Sequence, residues 1–303
     1  MKKQRNSIDG LARAAAVAAV LVLAGCAANA PAPKVAGTSV VPEPAPAGVI
    51  LEYKMPAGRV LRYQIKEDMT QKSEAMGQTI ESLSSGTATY AFQSKGPKDK
   101  NILLGVTIED KAMSLTTIQG DMSPDMKSVK GKSFDMVLSP LGAEVDVSGA
   151  ESISYDFATG TRSVANDFKI FFPDLPGKPL KVGDSWPSSF AIEEKAGPAD
   201  MKLEFQIVNT FEGFETVDGL ECARIRANVT GTISGTGSQQ GLEMLFGGTH
   251  QGTDVWYFAV KEGFFIKSTS ELTTDATISI SGPQNMTIPS KSTRKSEVIL
   301  ASR

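Results

Sequence analysis

Period-two alternation of apolar and polar residues recurs along this chain and constrains its fold more than any other feature. From Val60 to Lys66, the residues Leu61, Tyr63 and Ile65 face one way and Arg62, Gln64 and Lys66 the other. That pattern buries one face of an extended strand and leaves the other in water. It returns in Gln78 to Ser94, with Ala88, Tyr90 and Phe92 on one face, and in Asn101 to Glu109, with Ile102, Leu104, Val106 and Ile108 together. Gly96-Pro97-Lys98-Asp99-Lys100 between these two runs predicts a hairpin. Ser133 to Leu138 places Phe134, Met136 and Leu138 inward, and Ser139-Pro140-Leu141-Gly142 turns the chain into Glu144 to Val147.

The second half keeps the same rhythm. Trp186 to Glu193 reads as a strand whose Pro187 assigns it to a sheet edge. Met201 to Val208 alternates, and Asp218-Gly219 turns into a run with Ala223, Ile225, Ala227 and Val229 on one face and Cys222, Arg224 and Arg226 on the more polar one. A glycine-rich segment, Gly231 to Gly252, follows. Asp254 to Val260 and Phe264 to Leu272 form a hairpin across Lys261-Glu262-Gly263. Ala276 to Ile280 and Asn285 to Leu300 complete the set. Strands that follow one another without long helices give a mainly β fold with an antiparallel sheet. The halves share a rhythm, but no residue-level repeat relates them.

Two short helices are expected among these strands. Ser123-Pro124-Asp125 supplies an N-cap and first turn for one that stops at Gly131. The other runs from Thr161 to Phe172, with Val164, Phe168 and Phe171 at helical spacing and Phe172 adjacent; Pro173, Pro176 and Pro179 end it. Phe168, Phe171 and Phe172 therefore form a phenyl stripe, the candidate ligand-binding residues. Such rings either fill a core or cap an apolar cavity.

The first 48 residues are of another kind. Lys2, Lys3, Arg5 and Arg13 precede Ala14 to Leu23, which has no polar side chain, and Ala24-Gly25-Cys26 follows. A basic region, a short apolar region and a small-residue cleavage site make residues 1–25 a secretory signal peptide. Ten apolar residues span about 15 Å as a helix, half of what a transmembrane helix needs. Leu23-Ala24-Gly25-Cys26 resembles a bacterial lipobox. That resemblance implies cleavage before Cys26, a diacylglyceryl group on its thiol and acylation of the freed amine. Ala27 stands where an aspartate is linked to inner-membrane retention, so the resemblance implies an outer-membrane anchor facing the periplasm. Residues 26–48 hold seven Ala and five Pro between Ala27 and Gly48, too little apolar surface to fold. Extended, they reach up to about 70 Å, a tether for the β-rich domain of residues 49–303.

Composition narrows the function classes. Net charge is −3 with no basic run, which argues against nucleic acid as a partner. There are two cysteines; with Cys26 lipidated, Cys222 is a lone thiol, read as a half-buried small hydrophobe. Gly183-Asp184-Ser185-Trp186 invites comparison with Gly-Asp-Ser-Leu esterases, which need a late Asp-x-x-His. The single histidine, His250, lacks that spacing, so the segment reads as a turn and His250 as a solvated strand residue. A zinc site needs about three side-chain ligands, and only Asp254 and Glu243 lie near His250. Catalytic residues, metal and cofactors are therefore all expected to be none.

Gly177 to Trp186, the Asp218-Gly219 turn, and Val255-Trp256-Tyr257-Phe258 before Glu262-Gly263 give the chain a further resemblance to β-rich bacterial lipoproteins. These are similar in pattern to the half-barrel carriers and receptors of the lipoprotein-sorting system. The resemblance implies a large curved antiparallel sheet, or half-barrel, wrapping an apolar cavity closed by one or two short helices. The expectation is a non-catalytic, membrane-anchored envelope lipoprotein that binds an apolar ligand such as lipid. The alternative is a structural or envelope-assembly protein that binds another protein through a sheet edge or the glycine-rich segment.

Overall fold

Long strands joined by tight turns make up nearly all of the computed structural model, which describes residues 48–157, 160–196, 198–239, 241–282 and 285–303. The signal peptide, Cys26 and the tether up to residue 47 lie outside the described residues. The strands are β1 (Val60–Ala75), β2 (Gln78–Lys98), β3 (Asn101–Thr117), β4 (Gly120–Met122), β5 (Ser133–Leu138), β6 (Glu144–Asp146), β7 (Ser154–Phe157) and β8 (Gly160–Ser163). They continue with β9 (Ser185–Ala196), β10 (Ala199–Val217), β11 (Leu220–Gln239), β12 (Leu242–Ala259), β13 (Phe264–Ser281) and β14 (Met286–Ser302).

Twelve strands form one antiparallel sheet in the order β6-β5-β3-β2-β1-β14-β13-β12-β11-β10-β9, with β4 paired to β3. The sheet is not closed: β6 and β9 are its edges, and Pro187 does lie on an edge strand. The two halves meet where β1 pairs with β14. Two hairpins use turns with positive φ at both central residues, Met76-Gly77 (53° and 75°) and Asp218-Gly219 (49° and 77°). That geometry matches the twist of the flanking strands.

The strands run longer than their apolar alternation. In β1 the inward side continues past Ile65 as Glu67, Met69, Gln71 and Ser73, and the last three are buried. Gln71 donates to Ser290 Oγ at 2.9 Å, and Ser73 donates to the same oxygen at 3.0 Å. A buried polar row that hydrogen-bonds across strands keeps the sheet extended without apolar alternation. For the same reason Ala276 to Ile280 is the end of β13, not a separate strand.

Neither expected helix is an α-helix. Residues 161–163 of the expected Thr161–Phe172 helix belong to β8 and pair with β7, and a 3-10 turn of Val164–Phe168 follows. Ser163 Oγ caps that turn by accepting from the Ala165 amide at 3.1 Å. A helix this short has too few intrahelical bonds to offset its nucleation, and the prolines deny it an extension. Near Ser123 the cap is Asp125, whose carboxylate accepts from the Lys127 amide at 3.0 Å, over a 3-10 turn of Met126–Ser128. Among the described residues no helix is long and apolar enough to cross a membrane.

Apolar side chains collect in two cores along the strand length. The larger takes the β1 start, the β2 end and the β12–β13 hairpin, with Leu61, Tyr63, Phe92, Phe258, Phe264 and Phe265 all at most 2% exposed. Leu51, Tyr53 and Met55 join it from a segment with no alternation signal. That segment is laced to the turns by Tyr53 N to Pro140 O at 2.9 Å and Lys54 N to Gly263 O at 2.7 Å. The smaller core gathers Met201, Leu203, Phe205, Phe246, Ile278 and Ile288. Each large side chain fully buried there stabilises by roughly 1.5–3 kcal/mol.

Two single residues differ from their expected settings. Cys222 is fully buried in the larger core, not on a polar face, and desolvation raises its thiol pKa to about 11. His250 is 3% exposed rather than solvated. Its ring stacks on Phe205 at 4.2 Å, and Nε2 lies 2.9 Å from Glu204 O. Gly231 stands between them in the register, opposite Phe205 on β10 and His250 on β12. A Cβ there would run into the Glu204 carbonyl and the imidazole, so only glycine lets the two rings meet across it.

Candidate functional site

Between the two cores, at the middle of the strands, lies a cavity of about 460 Å³. Strands from both halves of the sheet line it, β1 to β3 on one side and β9 to β14 on the other. One open sheet can surround a single cavity from both sides only by curving. Between the edge strands β6 and β9 the chain runs through residues 147–157 and 160–184. Their ties to the first half are Glu144 Oε1, which accepts from the Phe172 amide at 2.8 Å, and Asp167 Oδ2, which accepts from Tyr90 at 2.6 Å. Their ties to β9 are an Arg162–Glu194 ion pair at 2.7 Å and the Trp186 indole donating to Asp174 O at 3.1 Å.

Part of the wall is aromatic and aliphatic. Phe171 and Phe172 enter it from the crossover, and Phe190, Phe205, Ile207 and Trp256 from β9, β10 and β12. Phe171 is half-buried and packs on Phe92 at 4.7 Å and Tyr63 at 5.3 Å between ring centres. Phe172 is 4% exposed and meets Tyr53 at 5.5 Å and Phe92 at 5.0 Å. Phe168 is placed elsewhere: it is fully buried between Tyr90 and Phe134, each at 4.8 Å, and is not part of the wall. Of the three rings singled out in the sequence, two meet the cavity and one belongs to the core.

Another part of the wall is charged, which the sequence did not indicate. Lys111 reaches Asp167 Oδ2 at 2.5 Å, Arg162 pairs with Glu194, and Arg294 pairs with Glu67. A bulge in the β2–β3 pairing, where Tyr90 opposes Ile108 and Thr89 opposes Asp110, exchanges the two faces of β3. Beyond it Lys111 and Met113 reach the cavity, whereas Ile102 to Ile108 use the even positions. Desolvation lowers the Lys111 pKa, but Asp167, Tyr90 and Tyr155 together more than offset it, leaving the ammonium raised well above its ordinary value. Glu194 is raised by desolvation, opposed by Arg162 and Arg294. Glu144 goes further: desolvation raises it to about 8 against the amides it accepts from. Asp174 is raised by desolvation too.

Gly183-Asp184-Ser185-Trp186 is a turn entering β9. Asp184 Oδ2 accepts from the Lys181 amide at 2.8 Å, and Ser185 shares a hydrogen bond with Thr210 at 2.9 Å on an exposed face. Among the described residues no group of three or more His, Cys, Asp or Glu side chains could hold a metal ion.

The fold and the site together define an open, curved antiparallel sheet around a cavity of mixed polarity, bridged by a crossover. No protein-family model and no curated protein matches the chain. Among solved structures it is similar to an outer membrane channel from Pseudomonas putida F1, at 9% identity and a TM-score of 0.26, over 86% of this chain and 99% of that one. It is also similar to OccK2 (OpdF) of Pseudomonas aeruginosa in complex with glucuronate, at 6% identity and TM-score 0.23, over 82% and 100%. A third is a DUF1329 family protein from Desulfovibrio piger, at 8% identity and TM-score 0.15, over 78% and 85%. None of these likenesses reaches a TM-score at which a shared fold is defined.

Proposed function

We propose that the chain is a non-catalytic lipoprotein of the cell envelope that holds an apolar ligand, a lipid, between its curved sheet and the crossover. The observation that carries this reading is the cavity of about 460 Å³ whose wall includes Phe171, Phe172, Phe190, Phe205 and Trp256. Its volume lies in the range of small-ligand sites, and rings that line a space offer apolar surface to what enters it. The lipobox at Cys26 and the Pro/Ala tether support the envelope anchor, and Ala27 supports the outer membrane. The test is mass spectrometry of the gently purified protein, before and after solvent extraction. Lipid bound in near-stoichiometric amount supports the reading. Protein that neither carries lipid nor takes up a fluorescent fatty acid overturns it.

A second reading has its own observation. The edge strand β9 pairs with β10 alone in the sheet, and an open edge is a template for another chain. It is favoured if the same purification yields a protein partner and no lipid.

A further inference from the structure

The charged side of the cavity has an imbalance of hydrogen-bonding capacity. Of the carboxylates that line the cavity, three are each engaged by a cation: Glu67 by Arg294, Glu194 by Arg162, and Asp167 by Lys111; Glu144, Asp174 and Asp254 line it as well. The donors are not all used. Arg294 lies on β14, opposite Met69 of β1 and Leu272 of β13, with its side chain in the cavity wall. It is 5% exposed. Its Nη2 is held by Glu67, but its Nε and Nη1 are buried and meet no acceptor among the described residues. A buried guanidinium N–H without an acceptor is costly, and such groups are rare in folded proteins. What Arg294 lacks is an acceptor for its Nε and Nη1.

Apolar side chains share the lining, with Ile65 and Val298 on the same strands as Glu67 and Arg294. Phe205, Ile207, Val229 and Trp256 come from β10 to β12, whereas Arg294 and Glu67 come from β14 and β1. A molecule that carries both an acceptor and an apolar chain matches the unmet donors of Arg294 and this apolar surface together. Ionised oxygens are the strongest acceptors for a guanidinium.

Resting on the reading of this cavity as a lipid site, we propose that its ligand is an amphiphile with an oxyanion head, carboxylate or phosphate, received by Arg294. The chain lies along Phe205, Ile207 and Trp256, and Glu67 fixes the guanidinium from behind.

The test titrates delipidated full-length protein with dodecanoate, dodecyl phosphate and dodecanol, following the tryptophan fluorescence, to which Trp256 in the cavity wall contributes. The two anions are expected to bind at least about tenfold more tightly than the alcohol, the worth of a charge-assisted hydrogen bond. Acetate and inorganic phosphate alone are expected not to bind at the concentrations that saturate with the chain-bearing anions. Arg294→Gln by itself strands Glu67 in the wall, so it is compared with the neutral double variant Glu67→Gln/Arg294→Gln. The double variant should lose the preference for anions, its affinities for the two anions falling to within about twofold of its own affinity for dodecanol. Equal wild-type affinity for alcohol and anions overturns the oxyanion head and leaves the lipid site standing. So does a preference that survives in the double variant. Inorganic phosphate binding as tightly as dodecyl phosphate overturns the amphiphile. If none of the three chain-bearing molecules binds, the lipid site falls and this inference with it.

Discussion

Phe168 and Phe171 are three residues apart, and their removal should have unequal consequences. Phe168 is fully buried, with ring centres of Tyr90 and Phe134 at 4.8 Å and Phe92 at 6.3 Å. Truncation to alanine loses the transfer free energy of the ring and leaves a new hole, about 3–5 kcal/mol together. Phe171 is half-buried, with one side packed on Phe92 and Tyr63 and the other facing the existing cavity. Phe171→Ala enlarges a space already present and forfeits part of four ring contacts, with Tyr63, Tyr90, Phe92 and Phe172, and should cost less than the ~3–5 kcal/mol of a fully buried ring. The assay is equilibrium denaturation of the purified, delipidated protein, followed by fluorescence of Trp186 and Trp256. Both indoles are buried, with ring centres 6.1 Å apart. Coincidence with circular dichroism establishes a single transition before free energies are compared. For a domain of this size each kcal/mol moves the midpoint by roughly 2–4 °C, so Phe168→Ala should lower it by about 6–20 °C. Equal losses at the two positions would refute the reasoning, since the cavity face of Phe171 would then be packed. A loss below about 1 kcal/mol at Phe168 would refute it from the other side.

Three further outcomes are expected. Cys26→Ser should leave the mature membrane fraction, because without acyl chains nothing in the reading above anchors it; processed variant that still pellets with membranes rules the lipoprotein out. Glu144 should make stability depend on pH: its folded pKa, raised to about 8, lies above its unfolded value of 4.5. It therefore contributes stability that is full below about pH 4.5 and is lost as pH rises through about 8. Glu144→Gln keeps an oxygen for the Phe172 amide and should flatten that part of the profile; an unchanged fall across this window would refute the assignment. The Cys222 thiol, buried and raised to about 11, should resist iodoacetamide at pH 8 until the protein is denatured, and rapid labelling of the native protein contradicts its placement.

Alternation alone determined that this chain is an antiparallel β protein, and where most of its strands begin. It did so because Leu61, Tyr63, Ala88, Phe92 and Ile102 to Ile108 sit in a core that demands apolar side chains at every second position. Pro187 marked an edge strand by the amide it lacks, and Asp218-Gly219 marked a turn by the φ it tolerates. The phenyl stripe pointed to the crossover, and Phe171 and Phe172 do meet the cavity, but spacing could not show that Phe168 turns into the core. A helical period was legible over Thr161 to Phe172 without a helix, because nucleation, the strand pairing of residues 160–163 and the prolines prevailed over periodicity. The charged wall was illegible for a related reason. Glu67 and Arg294 look like solvent-facing residues to any rule that equates inside with apolar, and Lys111 turns inward only through a bulge in the β2–β3 register. Which polar residues face one another across a cavity depends on strand order, register and curvature. Those are set by pairings such as β1 with β14, made between residues more than two hundred positions apart.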